Sequence, residues 1–440
     1  MNSAASKISI SLLLLGLLAT GFNIAQAATY FSRVAGPVNW NANGTWSTAA
    51  CGGASAGTVT PGAADTVTIC AGNTVTVNAA DSVGVLNVNG GTLTQSSALT
   101  VSNATLSGTL NIAGGTLNST AALTVNGPTN VTAGTLNPTS ASARTFTGLV
   151  TIGGGTWAGT TRPATFAGGI TFTSGTFTPG TGVQTFSATQ TIGPSTATIA
   201  IPSVTVSAGT LTNQSTLTIA TALAGGGGLT NTGTLNISGT SSITTLTNQG
   251  TATISNAGAI TTTTLTNTGT LNLSGTNAIT AITNNAGGTI DISSTPTITT
   301  LTATASGNTV NYSSAGAQSV KATTYYFLTL SNSGAKTAAG ALTVNGDLTL
   351  SGSATFNAGT SLTHAIAGSF IINTSAATPF TWTTASTFNF NTPAALTGTI
   401  TTSNVSTAVT GTGTSFTTQL AAGSQLYTAS GTLILSLIHI

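Results

Sequence analysis

A three-residue phrase recurs at near-constant intervals through the middle of this 440-residue chain. Leu211-Thr212-Asn213, Leu229-Thr230-Asn231, Leu246-Thr247-Asn248, Leu265-Thr266-Asn267 and Ile282-Thr283-Asn284 begin 18, 17, 19 and 17 residues apart. A second series keeps step with it: Leu235-Asn236-Ile237-Ser238, Ala252-Thr253-Ile254-Ser255, Leu271-Asn272-Leu273-Ser274 and Ile290-Asp291-Ile292-Ser293. Glycine-containing corners such as Gly233-Thr234, Gly269-Thr270 and Gly288-Thr289 lie between them. Each phrase alternates an aliphatic residue with Thr, Ser or Asn, the period of a strand with one face inward. A unit this short cannot bury its apolar face alone, and stacking successive units does so. The expected fold is therefore all-β: a parallel β-helix (β-solenoid) with about 18-residue coils, each of two short strands and a glycine corner.

Stacking in that register is expected to place Leu235, Ile254, Leu271 and Ile290 in one interior column. It also aligns Asn213, Asn231, Asn248, Asn267 and Asn284. These are expected at corners, in left-handed dihedrals, bonding their counterparts above and below as a structural Asn ladder. Five solvated turn asparagines are the alternative. Phe146, Trp157, Phe166, Phe172, Phe177 and Phe186 alternate with Thr at strand spacing and are expected in the core rather than as an exposed sugar-stacking row. Gly225-Gly226-Gly227-Gly228 lacks the following Lys-Ser/Thr of a phosphate loop and reads as a flexible corner.

Composition supports the strand reading. Thr makes up about a quarter of the chain, and charged residues only 2% against about 25% in ordinary domains. The six Lys and Arg are scattered singly, so there is no nucleic-acid footprint.

The N-terminus reads as a secretory signal peptide over residues 1–27: Lys7, an apolar run from Ile8 to Leu18, and the small-x-small triplet Ala25-Gln26-Ala27 with cleavage near Ala27. The apolar run is short for a membrane span, and no later segment is long enough. An oxidising destination makes Cys51 and Cys70 a disulfide, worth roughly 3 kcal/mol by loop entropy. Residues 28–82 read as an N-terminal β cap with that disulfide. Within it, Thr66-Val67-Thr68-Ile69 and Thr74-Val75-Thr76-Val77 read as a hairpin. Residues 83–310 read as β-solenoid repeats, 311–400 as further coils, and 401–434 as the start of a truncated β unit. Coils throughout 83–434 would number about 19 and span roughly 90 Å. Leu435-Ser436-Leu437-Ile438-His439-Ile440 is similar to a translated sequencing adapter. On that reading an anchor, barrel, sorting signal or enzyme domain belongs to a missing C-terminus.

The stretch from Gly316-Ala317-Gln318-Ser319-Val320-Lys321 through Tyr325-Tyr326, followed by Leu328-Thr329-Leu330 and Leu342-Thr343-Val344-Asn345-Gly346-Asp347-Leu348, resembles repeats of the β-strand-repeat surface proteins of bacteria. That group is adhesin-like and autotransporter-passenger-like. The resemblance implies a right-handed β-helix with a secreted or cell-surface role, and it carries over no catalytic residues.

The residues offer little for catalysis. There are four Asp, no Glu and two His, and Asp65, Asp81, Asp291 and Asp347 are 16, 210 and 56 residues apart. A Ca²⁺-dependent lyase needs clustered carboxylates and a base, and a glycosidase needs two carboxylates a few ångströms apart. Asp65 reads as a turn or cap residue and His364 as a structural histidine. A triad would have to pair His364 with Asp347. The expectation is a non-enzyme without cofactor or metal, an extracellular structural or adhesin-like rod that meets cell surfaces or glycans. A polysaccharide lyase or hydrolase is one alternative. Another is an ice- or crystal-surface binder, suggested by Thr58-Val59-Thr60, Thr66-Val67-Thr68, Thr74-Val75-Thr76, Thr171-Phe172-Thr173 and Thr297-Ile298-Thr299. Most of these triplets do not share the coil period, and outward Thr is simply a good soluble β-former.

Overall fold

A computed structural model of the chain describes residues 27–436 apart from 120–121, 138–143, 160, 195–197, 256–258, 261–263, 382–385, 391–398, 402–409, 413–424 and 428–432. The signal-peptide reading over residues 1–27, Ala27 excepted, and the last four residues of the adapter-like tail lie outside the described residues. The described chain is all-β, a parallel β-solenoid of about 15 turns with about 19 residues per coil. At about 4.8 Å per rung the stack is about 70 Å long. The described strands beyond Phe390 stand outside the parallel stack. Thr399–Thr401 pairs antiparallel with Thr410–Thr412, and Gln425–Tyr427 with Leu433–Ser436.

Each coil carries up to three strands rather than two. In one turn these are Leu123–Val125, Thr129–Val131 and Thr135–Asn137, stacked under Arg144–Phe146, Val150–Ile152 and Thr156–Ala158. Further on, two of the three merge into longer strands such as Ala222–Asn231 and Thr240–Asn248. The four-glycine run lies inside the first of these, and the register shifts between Gly225 and Gly228. It is therefore a bulge within a paired strand, not a loose corner. Gly225 has φ +122°, and a Cβ there would overlap the Val206 carbonyl oxygen, so the tight approach of two coils requires glycine.

The stacked interior is aliphatic. Leu211, Leu229, Leu246, Leu265, Ile282 and Leu301 pair in sequence up one column, all buried. The column containing Leu235 continues through Ala252, Leu271 and Ile290. Ile254 belongs to the neighbouring column with Ile237, Leu273 and Ile292. The phrase Ala252-Thr253-Ile254-Ser255 aligns on its alanine, which backbone pairing fixes and side-chain size does not reveal. The aromatic segment continues the core: Phe146, Phe166 and Phe186 stack at centroid distances of 5.7 and 5.6 Å. Trp157 packs 5.1 Å from Phe146, and all four are buried.

At the N-terminal end, Thr29–Ser32 pairs in parallel with Thr66–Ile69, and Gly36–Asn39 with Asn73–Val77. Coil stacking thus begins at Thr29. Thr66–Ile69 and Asn73–Val77 do not form the expected hairpin, for each pairs in parallel with the coil before and the coil after. The link between them, with Gly72 at φ +77°, turns a corner instead of reversing the chain, so both strands present valines to one interior. Trp40 and Trp46 fill the first coil edge-to-face, with ring centroids 4.8 Å apart. Trp46 donates its indole N–H to the Trp40 carbonyl at 2.7 Å. The disulfide Cys51–Cys70, with a sequence separation of 19, ties the loop beside this pair to the end of the next coil's strand.

Candidate binding face

The inner surface below one face of the rod explains that face's regularity. Asn213, Asn231, Asn248, Asn267 and Asn284 occupy consecutive rungs and are buried. Each side-chain amide donates to the carboxamide oxygen of the next, at 2.7, 2.8, 2.8 and 2.8 Å. The same nitrogens also reach backbone oxygens of their own corner and of the next coil, as Asn248 Nδ2 does to Gly250 at 3.2 Å and Thr270 at 2.8 Å. The asparagines are inward strand-end residues. Among the described residues the only non-glycine positions with positive φ are Asn332 and Ser361, so the ladder does not use left-handed backbone. An amide chain with every member bonded to the next fixes the vertical register of these coils.

One residue before each asparagine, on the opposite side of the strand, stands a threonine. Thr191, Thr212, Thr230, Thr247, Thr266, Thr283 and Thr302 pair rung to rung in one outward column. A flanking column two residues earlier holds Thr210, Gly228, Thr245, Thr264, Ala281 and Thr300. The two columns lie about 6.6 Å apart along the strand, with rungs about 4.8 Å apart. Among the described residues no hydroxyl of the longer column is taken up by another protein group. Of the threonine triplets singled out from sequence, Thr74-Val75-Thr76 pairs in register with Thr92-Leu93-Thr94, but none supplies this seven-rung column. Five of its members are the middle residues of the Leu-Thr-Asn phrase and its Ile282-Thr283-Asn284 variant, visible in the repeat but hidden behind the Leu and Asn that define it.

A second outward column runs along another face through Thr198, Thr216, Thr234, Thr251, Thr270, Thr289 and Thr309. Beside it stand Asn236, Thr253, Asn272, Asp291 and Asn311. Asp291 accepts from Asn311 Nδ2 at 2.7 Å, so the one carboxylate of these coils is a rung of an outer polar ladder.

The remaining ionisable candidates serve the backbone. Asp65 accepts from the amides of Ala28 and Gly62 at 2.8 and 2.7 Å. Asp81 accepts from Ser82 at 2.7 Å, and burial pushes its carboxyl up. Asp347 accepts from Ser369 at 2.7 Å. His364 is buried. Its Nδ1 accepts from the Leu342 amide at 3.1 Å, and Nε2 lies 2.8 Å from the Ala358 carbonyl. Both ring nitrogens are thereby occupied, Nε2 carries the proton, and burial pushes the imidazole pKa down. No nitrogen is left for Asp347 or a serine, so the triad is not assembled. Sequence reasoning passed over two buried cations. Lys336 directs its Nζ at the Ser314 carbonyl oxygen, and Arg144 reaches the Arg162 carbonyl at 3.4 Å. Burial pushes both pKa values down, with Arg162 adding repulsion at Arg144. The phenols of Tyr312 and Tyr325 meet at 3.0 Å, and Tyr325 donates to the Lys321 carbonyl at 2.6 Å.

Among the described residues no three of His, Cys, Asp and Glu gather into a metal-holding group, and no helix is long and apolar enough to cross a membrane. No protein-family model, curated protein or solved structure matches the chain.

Proposed function

We propose that this chain is an exported, non-catalytic rod of the cell surface or extracellular space, adhesin-like, whose faces rather than any pocket meet its partners. The observation that carries the reading is the uncharged outward threonine column Thr191–Thr302, held in register by the buried asparagine ladder. A face of that kind has no strong single anchor, so it binds by many weak polar contacts repeated along the rod. The signal-peptide-like N-terminus and the disulfide fit an oxidising compartment. The carboxylates and the histidine are occupied by backbone and ladder bonds, which favours a structural role over lyase or hydrolase chemistry.

The test is binding of the purified, labelled rod to whole cells and to glycan arrays. Retention that changes little with ionic strength is expected, because there is almost no charge to screen. A folded rod that binds neither would overturn the adhesive reading. Turnover of a polysaccharide panel that is lost in Asp291→Ala or His364→Ala would overturn the non-catalytic one.

A further inference from the structure

We infer that the face bearing the Thr191–Thr302 column is an ice-binding surface, its ligand the ordered water of a crystal plane. This rests on the reading that the rod works through its faces. It narrows that reading to one face and one ligand class.

Three properties of the face select the ligand. First, it repeats in two directions, about 4.8 Å along the rod and about 6.6 Å across the strand. Seven rungs in register extend it about 29 Å. A soluble partner gains nothing from such a lattice, whereas a crystalline one can place a hydrogen-bonding atom against every rung. Second, the longer column presents methyls and hydroxyls that bond no other protein group among the described residues, the flanking column adds Thr210, Thr245, Thr264 and Thr300 beside Gly228 and Ala281, and neither column holds an ionised side chain. Such a surface matches a neutral lattice of alternating donors and acceptors and offers nothing to an anionic polymer. Third, the face is preorganised. Threonine is stiff at χ1, and the asparagine ladder fixes the rungs from inside. Little order is lost when many weak contacts form together. Crystalline polysaccharides would also be periodic, but their sugar faces are recognised by aromatic platforms. Neither column of this face carries an aromatic ring.

The experiment is nanolitre osmometry of the full chain, read together with retention on slowly grown ice. Wild type is expected to show thermal hysteresis, to shape ice crystals into facets and to partition into ice. Thr230→Lys with Thr247→Lys, which sets two cations into the middle of the lattice, is expected to lose the hysteresis. Thr234→Lys with Thr251→Lys, in the same coils but on the other face, is expected to keep it. Circular dichroism and melting confirm that each variant is folded, and single Thr247→Lys serves if the double variant is not. Absence of hysteresis in folded wild type overturns the proposal, as does equal loss in both double variants. Capture by crystalline cellulose or chitin in place of ice overturns it as well. If cell or glycan binding persists while ice activity is absent, the ligand assignment has failed and the surface-rod reading stands. If both are absent, that reading has failed too.

Discussion

The asparagine ladder gives the most quantitative handle on the fold. Asn248→Ala removes a fully buried side chain that donates to Asn267 Oδ1, Gly250 O and Thr270 O and accepts from Asn231 Nδ2. The Gly250 carbonyl still receives the Thr270 amide at 2.8 Å. Asn231 keeps its bonds to Gly233 and Thr251 at 3.1 and 3.0 Å. Asn267 Oδ1 is left buried without its donor, at about 1–3 kcal/mol, and the truncated volume adds about 1 kcal/mol. The expected loss is about 3 kcal/mol, local to the adjacent coils because a solenoid is stabilised by nearest neighbours. Hydrogen exchange resolved by peptide is the assay: protection of strands Ala222–Asn231, Thr240–Asn248 and Thr264–Asn267 should fall by about two orders of magnitude. The coils near Phe166 should stay unchanged. Asn248→Asp keeps the size and loses the donors, and should cost at least as much. Asn236→Ala, half-exposed on the outer side of a different face, should stay within about 0.5 kcal/mol of wild type. Equal effects of Asn248→Ala and Asn236→Ala would refute the claim that the inner amides hold the register.

Three further expectations follow from the same accounting. Reducing Cys51–Cys70, or replacing both by Ser, reopens a loop of separation 19 and should lower the stability of the first coils by about 3 kcal/mol, read by denaturant-dependent fluorescence of Trp40 and Trp46. Phe166→Ala takes the middle ring from the Phe146–Phe166–Phe186 stack and should cost about 3–5 kcal/mol, seen as an early calorimetric transition; a cost under about 1 kcal/mol would show the column collapses around the gap. His364 has its pKa lowered by burial, so the unfolded chain binds the proton first. Its contribution is fully present above the unfolded value of about 6.5 and is lost as pH falls from there through the folded pKa. Melting of the coils around Val344 and Ile366 should weaken over that window, and His364→Phe should flatten the slope.

The fold was legible because backbone stacking imposes a period on the sequence. Leu-Thr-Asn recurs each time the chain returns to the same wall, and an interval of 17 to 19 residues leaves room for one turn of stacked strands. What was not legible was the count of strands per coil and the direction of each connection. A short link such as Ala71-Gly72-Asn73 is compatible with reversal or with a corner, because glycine at positive φ serves both. Only the parallel partners of Thr66–Ile69 on either side distinguish them. The column assignment of Ile254 failed for a related reason. Hydrophobic size suggested an alignment, but hydrogen-bond register decides it and puts Ala252 there.

The binding face lay between these two cases. Its threonines were printed in the repeat, yet threonine is so abundant in this chain that triplets chosen by composition were mostly the wrong ones. What separates a lattice from a scatter of β-formers is a fixed rung-to-rung registry, and for five of these rungs that registry is set on the other side of the wall, in Asn213 to Asn284. An outward Thr costs little at any rung, so alone it specifies nothing. A buried Asn is costly unless its counterpart above and below is also Asn. The inner column therefore constrains each coil to stop its strand at the same residue. The position one residue earlier, facing outward, is then carried into register whatever occupies it. That all seven occupants from Thr191 to Thr302 are threonine is a property the interior does not require. What sets this column apart from the equally regular Thr198–Thr309 column is its flank, where no carboxylate such as Asp291 stands, and it is this neutral order that the ice-binding experiment interrogates.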